Sequence, residues 1–333
     1  MNTVIALIKL SRAQFTIEPV VRATVGAFAY AYDHDTSVDP RRWALACAII
    51  FLTNVAINYY NDYNDYEGDK ANATRSTKTS TGGSNILVAG LLPRWTALAA
   101  SLLISLLILT VILLDRHLHP SSTPFCGANI FWGCVFMGLS SQYNAGLRLS
   151  YTPFCEVLTV GTLSVGSWLF GYNAQDPAGG FVVPVGGGVG GGVFLLDAVL
   201  QMSRIMVMQV VDTDADRFVG KITLTVHLGP RRVAEVYLYL QYAILILAAF
   251  LACTSTGISM ASSSPVAHAM VGVFAAVVLP RTFVVAKKLR RLGEGVKVAA
   301  EDCPFEVSRI MIEVNLACLA VLGAARGMGM WGQ

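Results

Sequence analysis

Nine long apolar runs follow one another along this chain of 333 residues, and no other feature limits its possible folds as strongly. Each run is close to the roughly 20 residues that an α-helix needs to cross a bilayer. In lipid the backbone polar groups must be satisfied within the segment itself, so such runs fold as helices. The runs cover approximately residues 13–33, 43–60, 95–115, 127–147, 154–172, 183–210, 233–252, 265–286 and 307–325.

The composition agrees with a protein that lies mostly in lipid. Hydrophobic residues make up 54% of the chain and charged residues only 14%, whereas a soluble domain carries about a quarter charged residues. We therefore predict an all-α polytopic membrane protein with about nine transmembrane helices in the lipid bilayer. The remaining residues are too few for a second soluble domain, so residues 1–333 are predicted to form a single domain. No nucleic-acid partner is expected.

Two acidic motifs interrupt the apolar pattern, each where a long run ends. The first contains Asp62, Asp65 and Asp69 at i, i+3 and i+7, and the second contains Asp212 and Asp216 at i and i+4. Both spacings place the acids on one face of a helix. Because carboxylates at the edge of a lipid bilayer are costly unless a cation holds them, these residues are candidates for function.

Two acidic faces that point toward each other repel unless divalent cations lie between them. Mg²⁺ suits this position because it binds one or two carboxylates and fills its other sites with water and phosphate oxygens. The motifs therefore predict a Mg²⁺-dependent diphosphate site at the mouth of a helix bundle. A single acidic loop is as often only a solvated surface, and Glu67 and Asp214, which lie off the shared faces, are expected to be solvated.

The lysines and arginines between the runs are distributed unevenly. If nine runs cross the membrane, the amino terminus and the even-numbered loops share one face. That face carries Lys9, Arg12, Lys70, Arg75, Lys78, Arg94, Arg148, Arg217, Lys221, Arg231, Arg232, Lys287, Lys288, Arg290, Arg291 and Lys297. The other face carries Arg41, Arg42, Arg116 and Arg326. Because positive charge accumulates in cytoplasmic loops, the first face, with both acidic motifs, is predicted to face the cytoplasm.

The chain resembles the UbiA superfamily of intramembrane prenyltransferases in its two motifs, Asn61-Asp62-x-x-Asp65-x-x-x-Asp69 and Asp212-x-x-x-Asp216. Both occur in the order and at the span ends typical of that superfamily, and residues 81–93, 147–156 and 220–229 resemble its menaquinone-type branch. The resemblance covers residues 10–235 well and the last three spans only by hydropathy. It implies a helix bundle around a central cavity.

The resemblance also implies roles for individual residues. Asp62, Asp65, Asp69, Asp212 and Asp216 would hold Mg²⁺. Asn58, Arg75, Lys78, Arg148 and Lys221 would bind the diphosphate of a polyprenyl substrate. Asp65, Asp212, Asp216, Tyr143 and Tyr151 would act at the reacting end. The implied reaction ionises the prenyl diphosphate to an allylic cation and transfers the prenyl group to an aromatic or quinonoid acceptor.

Two departures from the menaquinone-type pattern leave the acceptor open. Residues 208–211 read Met-Gln-Val-Val where an Asn-Asn-x-Arg run is typical, and the loop at residues 143–147 is about one residue shorter and lacks prolines. The alternative is a UbiA-type terpene cyclase, which closes the prenyl chain on itself. A cation-coupled transporter is the non-enzyme alternative, and metal-dependent release of diphosphate would separate the two classes.

Several charged residues lie inside or beside the apolar runs. They are Glu18, Arg22, Arg204, Arg281 and Glu313. Charged side chains in a membrane interior either pair to fix helix packing or take part in function. The sequence leaves both interpretations open for each of them, and Arg22 is the strongest candidate for function because the first span borders the cavity in the family.

Overall fold

A computed structural model describes residues 2–73, 83–125, 127–178, 180–184, 188–254, 265–295 and 302–327 of the chain. The regular elements in these residues are helices. Short helices α1 (Thr3–Ser11), α4 (Tyr66–Ala73) and α10 (Thr213–Phe218) accompany the longer helices α2 (Ala13–Asp33), α3 (Pro40–Asn64), α5 (Arg94–Leu118), α6 (Gly127–Ser141), α9 (Gly188–Val210), α11 (Leu224–Thr254), α12 (Pro265–Gly293) and α13 (Cys303–Gly327). One further segment is compound, with α7 (Cys155–Thr159), a π-helical stretch (Val160–Gly166) and α8 (Ser167–Ala174).

The helices close into a ring. Going around it, α2 contacts α3, which contacts α6, which contacts the π-helical stretch, and this in turn contacts α9. The ring continues through α11, α12 and α13 and returns to α2, while α5 packs on the outside of α3. The arrangement confirms the prediction of an all-α bundle around a central cavity.

Local sequence explains where individual helices begin and how closely they cross. Asp39 caps α3, because its carboxylate accepts hydrogen bonds from the backbone N–H groups of Arg41 at 2.9 Å and Arg42 at 3.0 Å. The crossing of α2 and α8 is so close that a Cβ atom at Gly171 would lie 1.9 Å from the carbonyl oxygen of Ala23. A side chain at position 171 would therefore force the two helices apart.

Six helices in the described residues are long and apolar enough to cross a membrane. They are Pro40–Asn64, Arg94–Leu118, Gly190–Val210, Leu224–Phe250, His268–Gly293 and Cys303–Arg326. The other three predicted runs also fall on helical residues, but α2 carries internal charge, α6 is short, and the compound segment is irregular. The prediction of an integral membrane protein is confirmed, whereas the number of nine crossings stays a prediction.

We predict that single cysteines at Phe218 and His119 react from opposite sides of the membrane. Phe218 ends α10 beside the second motif and is 73% exposed, and the side chain of His119, just beyond α5, is 46% exposed at the other end of the bundle. In a background without the seven native cysteines, a membrane-impermeant maleimide should label Phe218→Cys from the cytoplasm and His119→Cys from the opposite side. The reverse pattern would contradict the predicted orientation.

Candidate metal and diphosphate site

The carboxylates of both motifs line one cavity of about 160 Å³ at one end of the bundle, which we call the acidic cavity. It is lined by Asp62, Asp65, Asp69, Asp212 and Asp216. Between them stand Arg12, Asn61, Tyr143, Asn144, Gln209 and Lys221. Residues about 150 positions apart in the chain thus share one small polar space. Glu67 and Asp214 are exposed and do not line it.

The first motif keeps its helical spacing across a break in the helix. Helix α3 ends at Asn64, Asp65 adopts φ −92° and ψ 17°, and α4 begins at Tyr66. The Asp65 N–H still donates to the Asn61 carbonyl at 2.8 Å, and the Asp69 N–H donates to the Asp65 carbonyl at 2.9 Å. Because these bonds keep the helical path, the three carboxylates stay on one side.

The second motif is held by a compact turn that ends at Lys221. The Asp216 N–H donates to the Asp212 carbonyl at 2.9 Å, and the Lys221 N–H donates to the Asp216 carbonyl at 2.9 Å. Gly220 has φ +81°, a conformation that glycine adopts without steric cost. The turn brings the Lys221 side chain back over the motif that precedes it.

Two cations partly neutralise the carboxylates and connect separate parts of the chain. Arg12, at the junction of α1 and α2, contacts Asp62 with 2.5 Å between nitrogen and oxygen. Lys221 Nζ lies 2.8 Å from Asp65 and 3.3 Å from Asp216, so one lysine joins the first motif to the second. Burial lowers the pKa of Lys221, but the two carboxylates outweigh burial and raise it above its ordinary value. The lysine is therefore charged at neutral pH.

Asp69 and Asp62 are the two buried acids of the first motif. Burial, followed by the charge of Asp62, raises the pKa of Asp69 to about 8. A Cβ atom at Gly83 would lie 1.7 Å from the Asp69 carboxylate, so a side chain at position 83 would displace that carboxylate. The next residue, Ser84, donates its backbone N–H to Asp62 at 3.1 Å. The backbone of residues 83 and 84 therefore packs against the carboxylates of the first motif. The raised pKa of Asp69 indicates that these carboxylates have too little positive charge around them.

The donor set fits Mg²⁺ chemically. Carboxylates of two helix ends face one cavity, and the side-chain oxygen of Asn61 is buried there with no hydrogen-bond partner. Mg²⁺ prefers oxygen ligands and keeps several of its own water molecules when it binds to a protein. Within the described residues, no three acidic, histidine or cysteine side chains converge on one point, because the carboxylates are spread along the cavity and held by Arg12 and Lys221. A bound Mg²⁺ would take over the charge that these two cations supply.

The other residues that the resemblance assigned to the site lie at varying distances from the acidic cavity. Tyr143 lines it, and its hydroxyl accepts a hydrogen bond from Gln209 at 3.3 Å. The ring of Tyr151 lies behind Lys221, 6.0 Å from Nζ, and exposed Arg148 stacks on that ring at 5.4 Å. Asn58 faces the neighbouring cavity and donates to the Ser11 carbonyl at 2.9 Å.

Arg75 and Lys78 fall in residues 74–82, outside the described part of the chain. Their predicted contacts with diphosphate, like the roles of Arg148, Tyr151 and Asn58, stay predictions.

Two more cavities continue inward from the acidic cavity. A polar cavity of about 220 Å³ shares Arg12, Gln209 and Asp212 with it. An apolar cavity of about 50 Å³ between α3, α6 and the π-helical stretch shares Asn54 and Leu163 with the polar cavity. Through these shared lining residues, the three cavities lie one after another from the acidic end of the bundle toward apolar side chains of α3 and α6.

Glu156 anchors the loop that carries Lys221. It is fully buried in α7, and its carboxylate accepts the backbone N–H groups of Leu224 at 3.2 Å and Thr225 at 3.0 Å. These are orphan donors of the first turn of α11, where a negative charge is also favoured by the helix dipole. Glu156 therefore fixes the segment just after Lys221 without lining the acidic cavity.

The comparisons with known proteins agree with this geometry. The sequence profile of the UbiA prenyltransferase family matches residues 20–292. The chain belongs to this family. No curated protein sequence gives a significant match.

Solved structures of two UbiA homologues and of one synthase share the fold. A UbiA homologue from Archaeoglobus fulgidus bound to GPP and Mg²⁺ is 15% identical, with a TM-score of 0.60 over 91% of this chain and 99% of that chain. The apo structure of a UbiA homologue from Aeropyrum pernix K1 is 17% identical, with a TM-score of 0.61 over 95% and 98%. A digeranylgeranylglyceryl phosphate synthase is 18% identical, with a TM-score of 0.59 over 97% and 99%.

The structure of this UbiA protein also adds residues that the sequence did not single out for the site. From the sequence, Arg12 is only a positive charge of the cytoplasmic face, although it lies directly before the first span. Asn61 is part of the first motif, and Gln209 is a departure from the menaquinone-type pattern. In the structure all three line the acidic cavity, and Gln209 lines the polar cavity as well.

We predict that Glu156→Ala destabilises the protein, because it leaves two N–H groups of the α11 first turn without their buried acceptor. The expected loss is about 2 kcal/mol of unfolding free energy, measured as a lower midpoint of thermal unfolding in detergent. Glu67→Ala is the matched control, since Glu67 is an exposed glutamate of a short helix. Equal midpoints for the two variants would contradict the anchoring role of Glu156.

Proposed function

We propose that this UbiA protein is a Mg²⁺-dependent intramembrane prenyltransferase that ionises a polyprenyl diphosphate and transfers the prenyl group to an aromatic or quinonoid acceptor. The observation that carries the proposal is the acidic cavity, where the carboxylates of both motifs meet beside Lys221 and Arg12. The A. fulgidus homologue that holds GPP and Mg²⁺ supports it. A second structure of that homologue with DMAPP and Mg²⁺ supports it further.

The residues of the acidic cavity have separate roles in binding the diphosphate. Asp62, Asp65, Asp69, Asp212 and Asp216 would hold Mg²⁺ with the unpartnered oxygen of Asn61. When bound, Mg²⁺ supplies positive charge to the diphosphate oxygens as the bond from carbon to oxygen breaks. Lys221 and Arg12, released from their carboxylates, would donate to the same oxygens. The bonding electron pair leaves with the diphosphate, and the allylic cation remains on the prenyl carbon.

The three neighbouring cavities provide space for the prenyl chain of the substrate. From the acidic cavity the prenyl chain can extend past Asn54 and Leu163 into the apolar cavity, whose walls include Ile49, Phe136 and Phe170. That cavity lies between α3 and α6 at the side of the bundle. An acceptor ring carbon would then attack the cation and lose its proton, which completes the transfer.

We predict that Asp65→Ala and Asp212→Ala each lower Mg²⁺-dependent release of diphosphate by at least about a hundredfold, because each removes a group that stabilises developing charge. Asp214→Ala is the matched control, since Asp214 lies in the same helix as Asp216 but outside the acidic cavity. The assay is release of diphosphate from geranylgeranyl diphosphate by membranes that contain equal amounts of each variant.

Chelation gives a further check on the same proposal. EDTA should stop turnover of the wild-type protein, and added Mg²⁺ should restore it. Near-normal turnover by the Asp65→Ala and Asp212→Ala variants would contradict the paired-motif proposal and would leave the transporter alternative standing.

The terpene cyclase alternative is favoured by one departure in the sequence. Met208 and Gln209 stand where menaquinone-type members typically have other residues, and both line the polar cavity. Gln209 donates to the Cys155 sulfur and to the Tyr143 hydroxyl, each at 3.3 Å, so the departure changes the wall beside the reacting carbon. Both reactions use the same cation, and they differ in which nucleophile reaches it first.

We predict that product formation depends on an added acceptor. Membranes incubated with geranylgeranyl or farnesyl diphosphate, Mg²⁺ and 1,4-naphthalenediol should give a prenylated aromatic product in the organic extract, measured by mass spectrometry. Without an acceptor, only unreacted substrate and prenols should appear. A cyclic hydrocarbon formed in the absence of any acceptor would identify the protein as a cyclase.

A further inference from the structure

The polar cavity contains buried charges that the binding of diphosphate does not use. Glu18 and Arg22 on α2 are 3% and 1% exposed, and Gln201 and Arg204 on α9 are 0% and 6% exposed. All four line the polar cavity. In the proposed function the prenyl chain passes Asn54 and Leu163, and the walls that remain for a second substrate include the apolar side chains of Phe15, Ile205 and Met208. A flat ring can therefore lie against apolar walls while its polar groups meet the charged ones.

Each arginine of the polar cavity is already neutralised by carboxylates. Arg22 contacts Glu18 and lies 3.2 Å from Asp197 of α9, and Arg204 lies 2.8 Å from the other Glu18 oxygen. Arg12 is paired with Asp62. Among the described residues that line this cavity, Arg22 and Arg204 keep their acidic partners and Arg12 exchanges Asp62 for the diphosphate, so no guanidinium is left for a carboxylate of the acceptor.

One polar group of this network lacks a partner. The Gln201 side-chain oxygen accepts from Arg22 at 2.7 Å and from Arg204 at 3.3 Å. Because two guanidinium groups, which can only donate, fix the oxygen on that side, the amide nitrogen must point the other way. That nitrogen is buried and has no hydrogen-bond partner. An unpaired buried donor costs free energy until an acceptor atom reaches it.

We infer that the polar cavity is the acceptor subsite of this protein and that it selects an uncharged aromatic acceptor, a phenol or hydroquinone without a carboxylate. The inference rests on the proposed function and adds the substrate class. The Gln201 amide nitrogen donates to an oxygen of the acceptor, and the apolar walls hold its ring. The cavity shares Asp212 with the acidic cavity, so the ring lies next to the carbon that loses the diphosphate.

The balance of charge sets this selectivity. A carboxylate on the acceptor would enter a buried space whose arginines are already paired, and it would lie near Glu18 and Asp212. Burial of an unpaired anion is unfavourable by much more than one hydrogen bond returns. An uncharged hydroxyl or carbonyl oxygen loses little hydration free energy on entry, and it can accept the hydrogen bond that the Gln201 amide nitrogen has free.

The experiment compares acceptors that differ only in a carboxylate. Membranes with the full-length protein, geranylgeranyl or farnesyl diphosphate and Mg²⁺ receive either 1,4-naphthalenediol or 1,4-dihydroxy-2-naphthoate, and hydroquinone or 2,5-dihydroxybenzoate. Release of diphosphate and the prenylated product are measured together. The neutral member of each pair should have a kcat/KM at least about tenfold higher, the factor that a single hydrogen bond or charge typically gives.

Two variants test the residues that carry the inference. Gln201→Leu should raise the KM for the neutral acceptor at least about tenfold, with a smaller change in kcat, because it removes the free donor. The matched control is Gln241→Leu, since Gln241 is also a buried glutamine with an unpartnered amide but does not line the polar cavity.

Glu18→Gln leaves one positive charge unbalanced and should shift the preference toward the carboxylated acceptor. If the Glu18→Gln variant does not accumulate in membranes, the comparison of the acceptor KM between Gln201→Leu and Gln241→Leu tests the inference alone.

The outcomes separate this inference from the proposed function. Preference of the wild type for the carboxylated acceptors, or an equal effect of Gln201→Leu and Gln241→Leu on the acceptor KM, would overturn the inference while diphosphate release remains. A cyclic hydrocarbon formed without an acceptor would overturn it as well. Absence of any Mg²⁺-dependent diphosphate release would overturn both.

Discussion

The requirement that every charge inside the bilayer be neutralised shapes this molecule more than any other constraint. An unpaired charged side chain at the centre of a membrane helix costs about 2.5–3.5 kcal/mol even on insertion scales. The structure meets this requirement with a network in which Arg22 joins Glu18 to Asp197 and Asn315 donates to Asp197 at 3.0 Å. Helices α2, α9 and α13 are thereby held in one arrangement around the polar cavity. The sequence leaves Arg204, Arg281 and Glu313 open between helix packing and function, and the structure places all three in ion pairs as well.

The same requirement explains the state of the acidic cavity. The carboxylates that line this small space repel one another unless cations oppose the repulsion. Lys221 lies between Asp65 and Asp216, and Arg12 lies against Asp62, so side-chain cations hold the motifs together. In the proposed function, a diphosphate with divalent metal would bring both the positive charge that the acids need and the oxygens that the freed lysine and arginine need. Substrate binding would then be an exchange of ionic partners.

The sequence predicted the helices and the meeting of the two motifs because both depend on local patterns. Apolar length decides the helices, and the spacing of Asp62, Asp65 and Asp69 survives the break at Asp65, because backbone hydrogen bonds continue through it. The sequence could not predict the contacts of Gln201, whose partner Arg22 is 179 residues away and gives no local signal. The sequence could not predict the positions of loop side chains either. Arg148, for example, is exposed and stacks on the ring of Tyr151.

The buried network has a consequence for how the chain enters the membrane during synthesis. Glu18 and Arg22 form an i, i+4 pair within α2, while Asp197 and Arg204 both belong to α9. Each helix thus brings one acid and one base of its own, and α2 can insert as a locally neutral segment long before α9 has been translated. The pairs across helices, Arg22 with Asp197 and Arg204 with Glu18, form only when the two segments meet. The Glu18–Arg22 pair is therefore available as soon as α2 forms, and it is kept when the pairs across helices are added.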